Sequence, residues 1–200
     1  MGDDGFFEVA GRQRACRVFL TDPVPEELIE RLLSTAVCAP SAENGQPWEF
    51  VVVRDAALRL AIGELTARAW EGGARQFSED RLPPGLLADV DAGARGGLAG
   101  APVLVVVCGN LDRGLEITLA SSLLPAVQSL LLGATALGLG SALTTLTTLH
   151  AGELAALLAL PPHVRPVAVV PLGRPARALG PPHRRPFTEV THRDRFGTPW

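Results

Sequence analysis

The chain has no tyrosine and only three cysteines, and each scarcity excludes something. Cys16, Cys38 and Cys108 are widely spaced and odd in number, so they form neither a disulfide framework nor a CxxC metal pair, and the easy reading is a reducing cytoplasm. Without tyrosine, any aromatic cover over a ligand has to come from Trp70, Phe77 or another tryptophan or phenylalanine. A basic excess is missing too. The formal net charge is −3 and no run of like charges forms a tail, so nothing indicates a nucleic-acid partner. The opening residues, MGDDGFFEVAGRQR, lack the basic-then-apolar order of a secretory signal. There is no Walker loop, no HExxH, no GxSxG and no acidic metal cluster, and His150, His163, His183 and His192 are scattered without ligand spacing. A chain so poorly equipped for covalent or metal chemistry of its own points to a borrowed cofactor.

Charge is absent altogether between Glu116 and Glu153. About 20 apolar residues suffice to cross a bilayer. This stretch, however, carries Ser121, Ser122, Gln128, Ser129, Thr135 and a run of threonines, and is interrupted by Pro125 and by Gly138-Leu139-Gly140. It reads as a helix buried in a soluble core or a dimer interface rather than as a membrane span.

What is present is an ample core: 47% of the 200 residues are apolar, enough for one domain covering residues 1–200. Pro25, Glu26 and Glu27 open a helix in which Leu28, Ile29, Leu32, Leu33, Ala36 and Val37 repeat at helical spacing until Pro40 ends it. Glu49 to Val53 reads as a strand and Asp55 to Trp70 as a helix. The Gly-, Ala- and Arg-rich stretch from Glu71 to Gly100 reads as a short helix between loops. Ala101 to Cys108 is a buried strand without alternation, followed by a long helix from about Leu115 to Leu137. Gly140 to Thr148 reads as a third strand, Gly152 to Leu160 as a short helix, and Arg165 to Leu172 as a fourth strand, before an extended Pro- and Arg-rich tail. The alternation implies a layered α/β or α+β domain with helices on a central sheet.

Four segments carry chemistry, each with a plain alternative. Arg12-Gln13-Arg14-Ala15-Cys16-Arg17 places three guanidinium groups within six residues. Their planar forks suit bidentate binding of phosphate oxygens, and the alternative is a solvated basic turn. The loop Ala39-Pro40-Ser41-Ala42-Glu43-Asn44-Gly45-Gln46-Pro47-Trp48 pins several hydrogen-bonding side chains between two prolines, as a binding loop or as a polar connector. Ala136-Leu137-Gly138-Leu139-Gly140-Ser141 lets backbone approach a flat ligand with bare N–H groups, or is only a helix C-cap. Pro182-His183-Arg184-Arg185-Pro186-Phe187 is a second basic site or a charged tail.

Taken in order, these segments resemble the nitroreductase family of FMN-dependent oxidoreductases, from Gln13 to about Glu189. Gln13-Arg14-Ala15-Cys16-Arg17-Val18-Phe19 resembles the family's R-R-S-x-R-x-F opening, and APSAENGQPWEFVVV resembles its A-P-S-x-x-N-x-Q-P-W block. Pro125 to Leu132 and the ALGLGS stretch resemble the core helix and its exit. Val170-Pro171-Leu172-Gly173-Arg174-Pro175 and Arg184-Arg185-Pro186-Phe187 resemble the closing elements.

The resemblance implies an α+β fold, a three-layer α/β/α sandwich with a central, mostly antiparallel sheet and a long buried helix at the interface of a homodimer. Two FMN sites would lie at that interface, and the tail from about residue 174 to 200 would run extended over the partner subunit. Arg14, Ala15 and Arg17 would bind the phosphate and the ribityl–pyrimidine side, joined by Arg184 or Arg185. Pro40, Ser41, Asn44 and Gln46 would reach the same flavin from the partner subunit, and Leu139 and Gly140 would lie against the isoalloxazine. The implied activity passes a hydride from NADH or NADPH through flavin N5 to an electron-poor small molecule such as a nitroaromatic or a quinone. No side chain is assigned a catalytic role. Substrate choice would fall to residues 68–98. Same-fold alternatives are an ene-reductase, a dehalogenase, a flavin-fragmenting enzyme or a non-catalytic flavin store. Three departures stand out: Gln13 replaces the family's first arginine, Ala15 its serine, and Ser129 its asparagine. An arginine lost from a phosphate site costs about 1.5–3 kcal/mol if nothing replaces it, and Arg12 stands one position earlier.

Overall fold

The run from Val103 to Cys108 has no polar side chain to turn toward water, and it becomes the centre of the fold. The computed structural model describes residues 4–200. In chain order its helices and strands are α1 (Asp4–Arg12), α2 (Glu26–Ala36), β1 (Trp48–Val53), α3 (Ala56–Ala69), α4 (Arg75–Glu79), α5 (Pro84–Ala92), α6 (Leu98–Gly100), β2 (Val103–Asn110), α7 (Glu116–Ala136), β3 (Gly140–Ser141), α8 (Ala151–Leu157) and β4 (Val164–Gly173). The four strands form one sheet in the order β1-β2-β4-β3, every pair antiparallel. All eight residues of β2 are buried. Val103, Val105 and Val107 face a core shared with α2 and α7, while Leu104, Val106 and Cys108 face a second core shared with α3 and α8. A strand covered on both faces needs no polar alternation. The layers are therefore helix, sheet, helix, and the fold class is the expected α+β.

The uncharged segment is helical through Pro125 and packs one face on the sheet and α2. Leu119, Leu123, Ala126, Val127, Leu130 and Ala134 are buried there. Among the described residues nothing covers the opposite face over the first half of the helix: Ile117 is 88% exposed and Leu124 43%. Among the described residues α7 is the one helix long and apolar enough to cross a membrane. Its burial within the chain is thus one-sided.

Three expectations need correction. The third strand is only two residues long, pairing Gly140 with Gly173 and Ser141 with Leu172. Beyond it Thr144 makes a single bridge to Val169, and Leu146–His150 coils into a 3-10 turn. The threonine hydroxyls favour that turn over a ladder: Thr148 Oγ1 donates to the Thr145 carbonyl at 2.7 Å, and the Leu146 N–H donates to Thr144 Oγ1 at 3.3 Å. Residues 71–100 are mostly helical pieces rather than one helix between loops, kinked at Gly73, whose φ is +133°. They are tied together by Asp91, whose Oδ1 accepts from Trp70 Nε1 at 3.0 Å, Arg75 Nε at 3.2 Å and Arg95 Nε at 3.0 Å. Finally, α1 is a helix the sequence reading did not anticipate. The tail past Gly173 holds the short turn Phe187–Glu189 and two isolated bridges, Phe19 to Pro175 and His192 to Pro199.

Candidate functional site

The segment between α1 and α2 is stitched onto the far edge of the sheet. Ala15 bridges Ser141 in parallel, and the Cys16 N–H donates to the Ser141 carbonyl at 2.8 Å. The Leu20 N–H donates to the Arg174 carbonyl at 2.9 Å, and the Ala176 N–H to that of Val18 at 3.1 Å. Cys16 and Phe19 point into the core, which anchors the strip and fixes where its arginines emerge. Arg17 then packs on the helical turn Gly93–Gly97 that follows α5. A Cβ on Gly93 would stand 2.9 Å from Arg17 Cδ, and one on Gly97 would meet the Arg17 carbonyl oxygen. Only bare backbone admits the side chain so closely. Burial draws the Arg17 pKa down from its usual range, Asp89 opposes that shift, and Arg14 adds to it.

Arg14, Ala15, Arg17 and Arg184 all line one cavity of about 810 Å³. Its volume lies within the roughly 300–1,000 Å³ usual for small-molecule sites. Two residues that the sequence motifs did not single out complete it. Arg177 lines the wall, and Asp89, the cavity's one carboxylate, accepts from Arg177 Nη2 at 2.5 Å. Arg185 is exposed and lines no part of it. A second cavity of about 350 Å³ shares Arg14 and Arg177 with the first and is lined by Gly138, Leu139 and Gly140. Gly138 has φ +71° and open space where a side chain would stand, whereas Gly140 is packed against Cys16 and Pro175. The Leu139 side chain is buried in the α2–α7 core, so Leu139 offers the cavity mainly backbone. Two of the N–H groups here are already taken: Gly138 donates to Thr135 at 3.2 Å and Leu139 to Ala134 at 2.8 Å, capping α7. The stretch therefore presents a surface free of side chains rather than a row of free donors.

The loop from Pro40 to Gln46 lies elsewhere. Glu43, Asn44 and Gln46 have φ of 54°, 55° and 49°, left-handed backbone that costs non-glycine residues about 1–3 kcal/mol each. The loop holds itself in that shape. Ser41 Oγ accepts from the Gln46 N–H at 3.0 Å, and the Ala42 N–H donates to Ser122 Oγ on α7 at 3.1 Å. Pro40, Asn44 and Gln46 are exposed. Ser122 stands 14 residues before Ala136 at the other end of α7, a separation of about 20 Å at 1.5 Å per residue. One chain thus brings Arg14, Ala15, Arg17, Leu139, Gly140 and Arg184 together, and keeps Pro40, Ser41, Asn44 and Gln46 apart from them. A cluster of guanidinium groups beside a flat strip of backbone can hold a phosphate-bearing planar molecule. Among the described residues there is no group of three or more His, Cys, Asp or Glu placed to hold a metal ion.

The nitroreductase family model matches residues 10–174. The chain belongs to the nitroreductase family. The matched range takes in the Arg14–Phe19 strip, the Pro40–Trp48 loop and Gly140, and ends before Arg177, Arg184 and Arg185. A protein from Thermus thermophilus named NADH dehydrogenase is 32% identical over 195 residues, covering 90% of this chain and 91% of its own. A 5,6-dimethylbenzimidazole synthase from Rhodospirillum rubrum is 36% identical over 152 residues, 68% of this chain and 67% of its own. Among solved structures, a Desulfovibrio desulfuricans protein in complex with FMN superposes with a TM-score of 0.73 at 24% identity, over 96% of this chain and 97% of its own. At that identity the likeness establishes the nitroreductase fold.

Proposed function

We propose that this nitroreductase-family chain is an FMN-dependent oxidoreductase that passes electrons from NADH or NADPH to an electron-poor small molecule, a nitroaromatic, a quinone or similar. The observation that carries the reading is the division of the polar groups. Arg14, Arg17 and Arg184 meet beside the Gly138–Gly140 backbone, while the strained Ser41–Gln46 loop sits about 20 Å away along α7. A second copy packed on the uncovered face of α7 would bring the loop of one chain to the arginines of the other. The chain would then act as one FMN-binding unit of a homodimer, with its tail over the partner subunit.

The residues fit the cofactor. Four guanidinium groups against one carboxylate give the large cavity the excess positive charge that a phosphate needs. Gly138 leaves room for a ring system. When bound, FMN supplies two-electron transfer, which no side chain of this chain offers. Arg14 and Arg17 would hold the phosphate and the pyrimidine side, with Arg184 or Arg185 closing from the tail. Ser41, Asn44 and Gln46 would come from the partner, and the Asp91-tied helices of residues 70–98 would cover the site and exclude water. The two relatives are named a dehydrogenase and a synthase, so the acceptor has to be found by assay.

The reading is tested by the visible spectrum of the purified protein. Bands near about 370 and 450 nm, with about one FMN per chain released on boiling, are expected. Oxidation of NADH or NADPH should then depend on an added acceptor. A protein that stays colourless in excess FMN would overturn the reading. A flavin-storing dimer is the second reading, favoured by Gln13 and Ala15 where the family pattern has an arginine and a serine. It predicts bound FMN without reductant oxidation.

A further inference from the structure

We propose that Arg177 is a phosphate-binding residue of this chain, supplying from the tail the cation that Gln13 does not. The inference rests on the reading that FMN is the cofactor, and goes beyond it in assigning a residue outside the range the family model matches, which ends at position 174.

Three observations carry it. The first is position. The Phe19–Pro175 bridge and the Ala176 N–H bond to the Val18 carbonyl at 3.1 Å fix the backbone beside Arg177 to the very strip that bears Arg14 and Arg17. Arg14 and Arg177 are the two arginines that line both adjoining cavities, whereas Gln13 lines neither. The second is charge. Among the described residues Asp89 is the one carboxylate that lines the larger cavity, and it engages Arg177 through Nη2. A guanidinium has five donors, so Nε and Nη1 are left to meet phosphate oxygens while Asp89 holds the fork in place. Asp89 lines the same cavity as Arg17, and its charge opposes the downward shift that burial gives the Arg17 guanidinium. The third is elimination. Arg12, the nearest alternative in sequence, lines only the smaller cavity and pairs with Glu8 at 3.2 Å on the exposed face of α1.

The test is equilibrium binding to the full-length chain, dialysed free of flavin and titrated with FMN or with riboflavin, which lacks the phosphate. Arg177→Gln should weaken FMN about tenfold and leave riboflavin within about twofold, because only the phosphate loses a charge-assisted partner. Arg12→Gln should weaken FMN less than Arg177→Gln does. Retained riboflavin binding by Arg177→Gln also shows that the pocket is folded. Equal weakening of both flavins, or unchanged FMN affinity, would overturn the assignment, as would a loss confined to Arg12→Gln. If the unsubstituted chain binds neither flavin, the FMN reading itself falls and takes this inference with it.

Discussion

A Cβ placed on Gly140 would lie 2.7 Å from the Sγ of Cys16 and 2.8 Å from its Cβ. Both residues belong to the junction where the Arg14–Leu20 strip meets the sheet, and Cys16 is 1% exposed, so it has nowhere to retreat. Gly140→Ala should therefore behave as an overpacking substitution, costing about 1–3 kcal/mol. For a chain of this length that corresponds to a fall in Tm of roughly 2–12 °C, measurable by calorimetry. An unshifted Tm would mean that the strip moves freely away from β3, and the arginine cluster would lose its rigid base.

The alkaline limb of stability should belong to the thiols. The chain contains no lysine and no tyrosine, which leaves the thiol as the kind of side chain that ordinarily titrates between about pH 8 and 12. Burial pushes the Cys108 thiol up to about 12, with Glu49 adding to the shift, and burial raises Cys16 as well. A raised folded pKa stabilises fully below the unfolded pKa and is lost as pH climbs through the window up to the folded value. Stability should accordingly fall from about pH 9 toward 12, by up to about 1.4 kcal/mol per pH unit through Cys108, with Cys16 acting in the same direction. Comparing urea midpoints near about pH 8 and 10.5, Cys108→Ala should lose visibly less than the unsubstituted protein. Equal losses would assign the alkaline limb to some other group.

A buried hydroxyl pair gives an asymmetric prediction. Thr66 Oγ1 lies 2.7 Å from Thr147 Oγ1 and also donates to the Ile62 carbonyl at 3.0 Å. Each hydroxyl has one proton, so Thr66 is the acceptor within the pair and Thr147 its donor. Thr66→Val strands the buried Thr147 proton and should cost about 1–3 kcal/mol. Thr147→Val leaves Thr66 still donating and should cost less. The double variant should regain most of the Thr66→Val loss, because neither polar group is then left buried without a partner. Simple additivity in chemical denaturation would refute this proton assignment.

Much of the fold was legible because its signals are local. The apolar repeat of Ile29, Leu32 and Ala36 and the unbroken valine run of β2 announce themselves. What the sequence hides is cooperation at a distance. Residues 71–100 are organised by Asp91 reaching Trp70, Arg75 and Arg95, and β3 is cut short by threonine hydroxyls that bond back to their own turn. The site divides in the same way. Arg14, Arg17 and Gly140 stand in recognisable patterns, but the Asp89–Arg177 pair joins residues 88 positions apart with no motif at either.

The separation of Asn44 from Arg14 within one chain has a consequence that mixing can test. Arg14→Ala with Arg17→Ala should abolish FMN retention by removing the cations from the cavity. Asn44→Gly with Gln46→Gly should impair it by removing polar side chains at φ of 55° and 49°, angles that glycine adopts without strain. If each site draws on two chains, co-refolding the two variants gives about half mixed dimers, each with one intact site and one doubly broken one. Flavin content should then recover to at least about a quarter of that of the unsubstituted protein, read by absorbance after gel filtration. A site built within a single chain shows no such recovery, because every chain in the mixture carries one of the two defects.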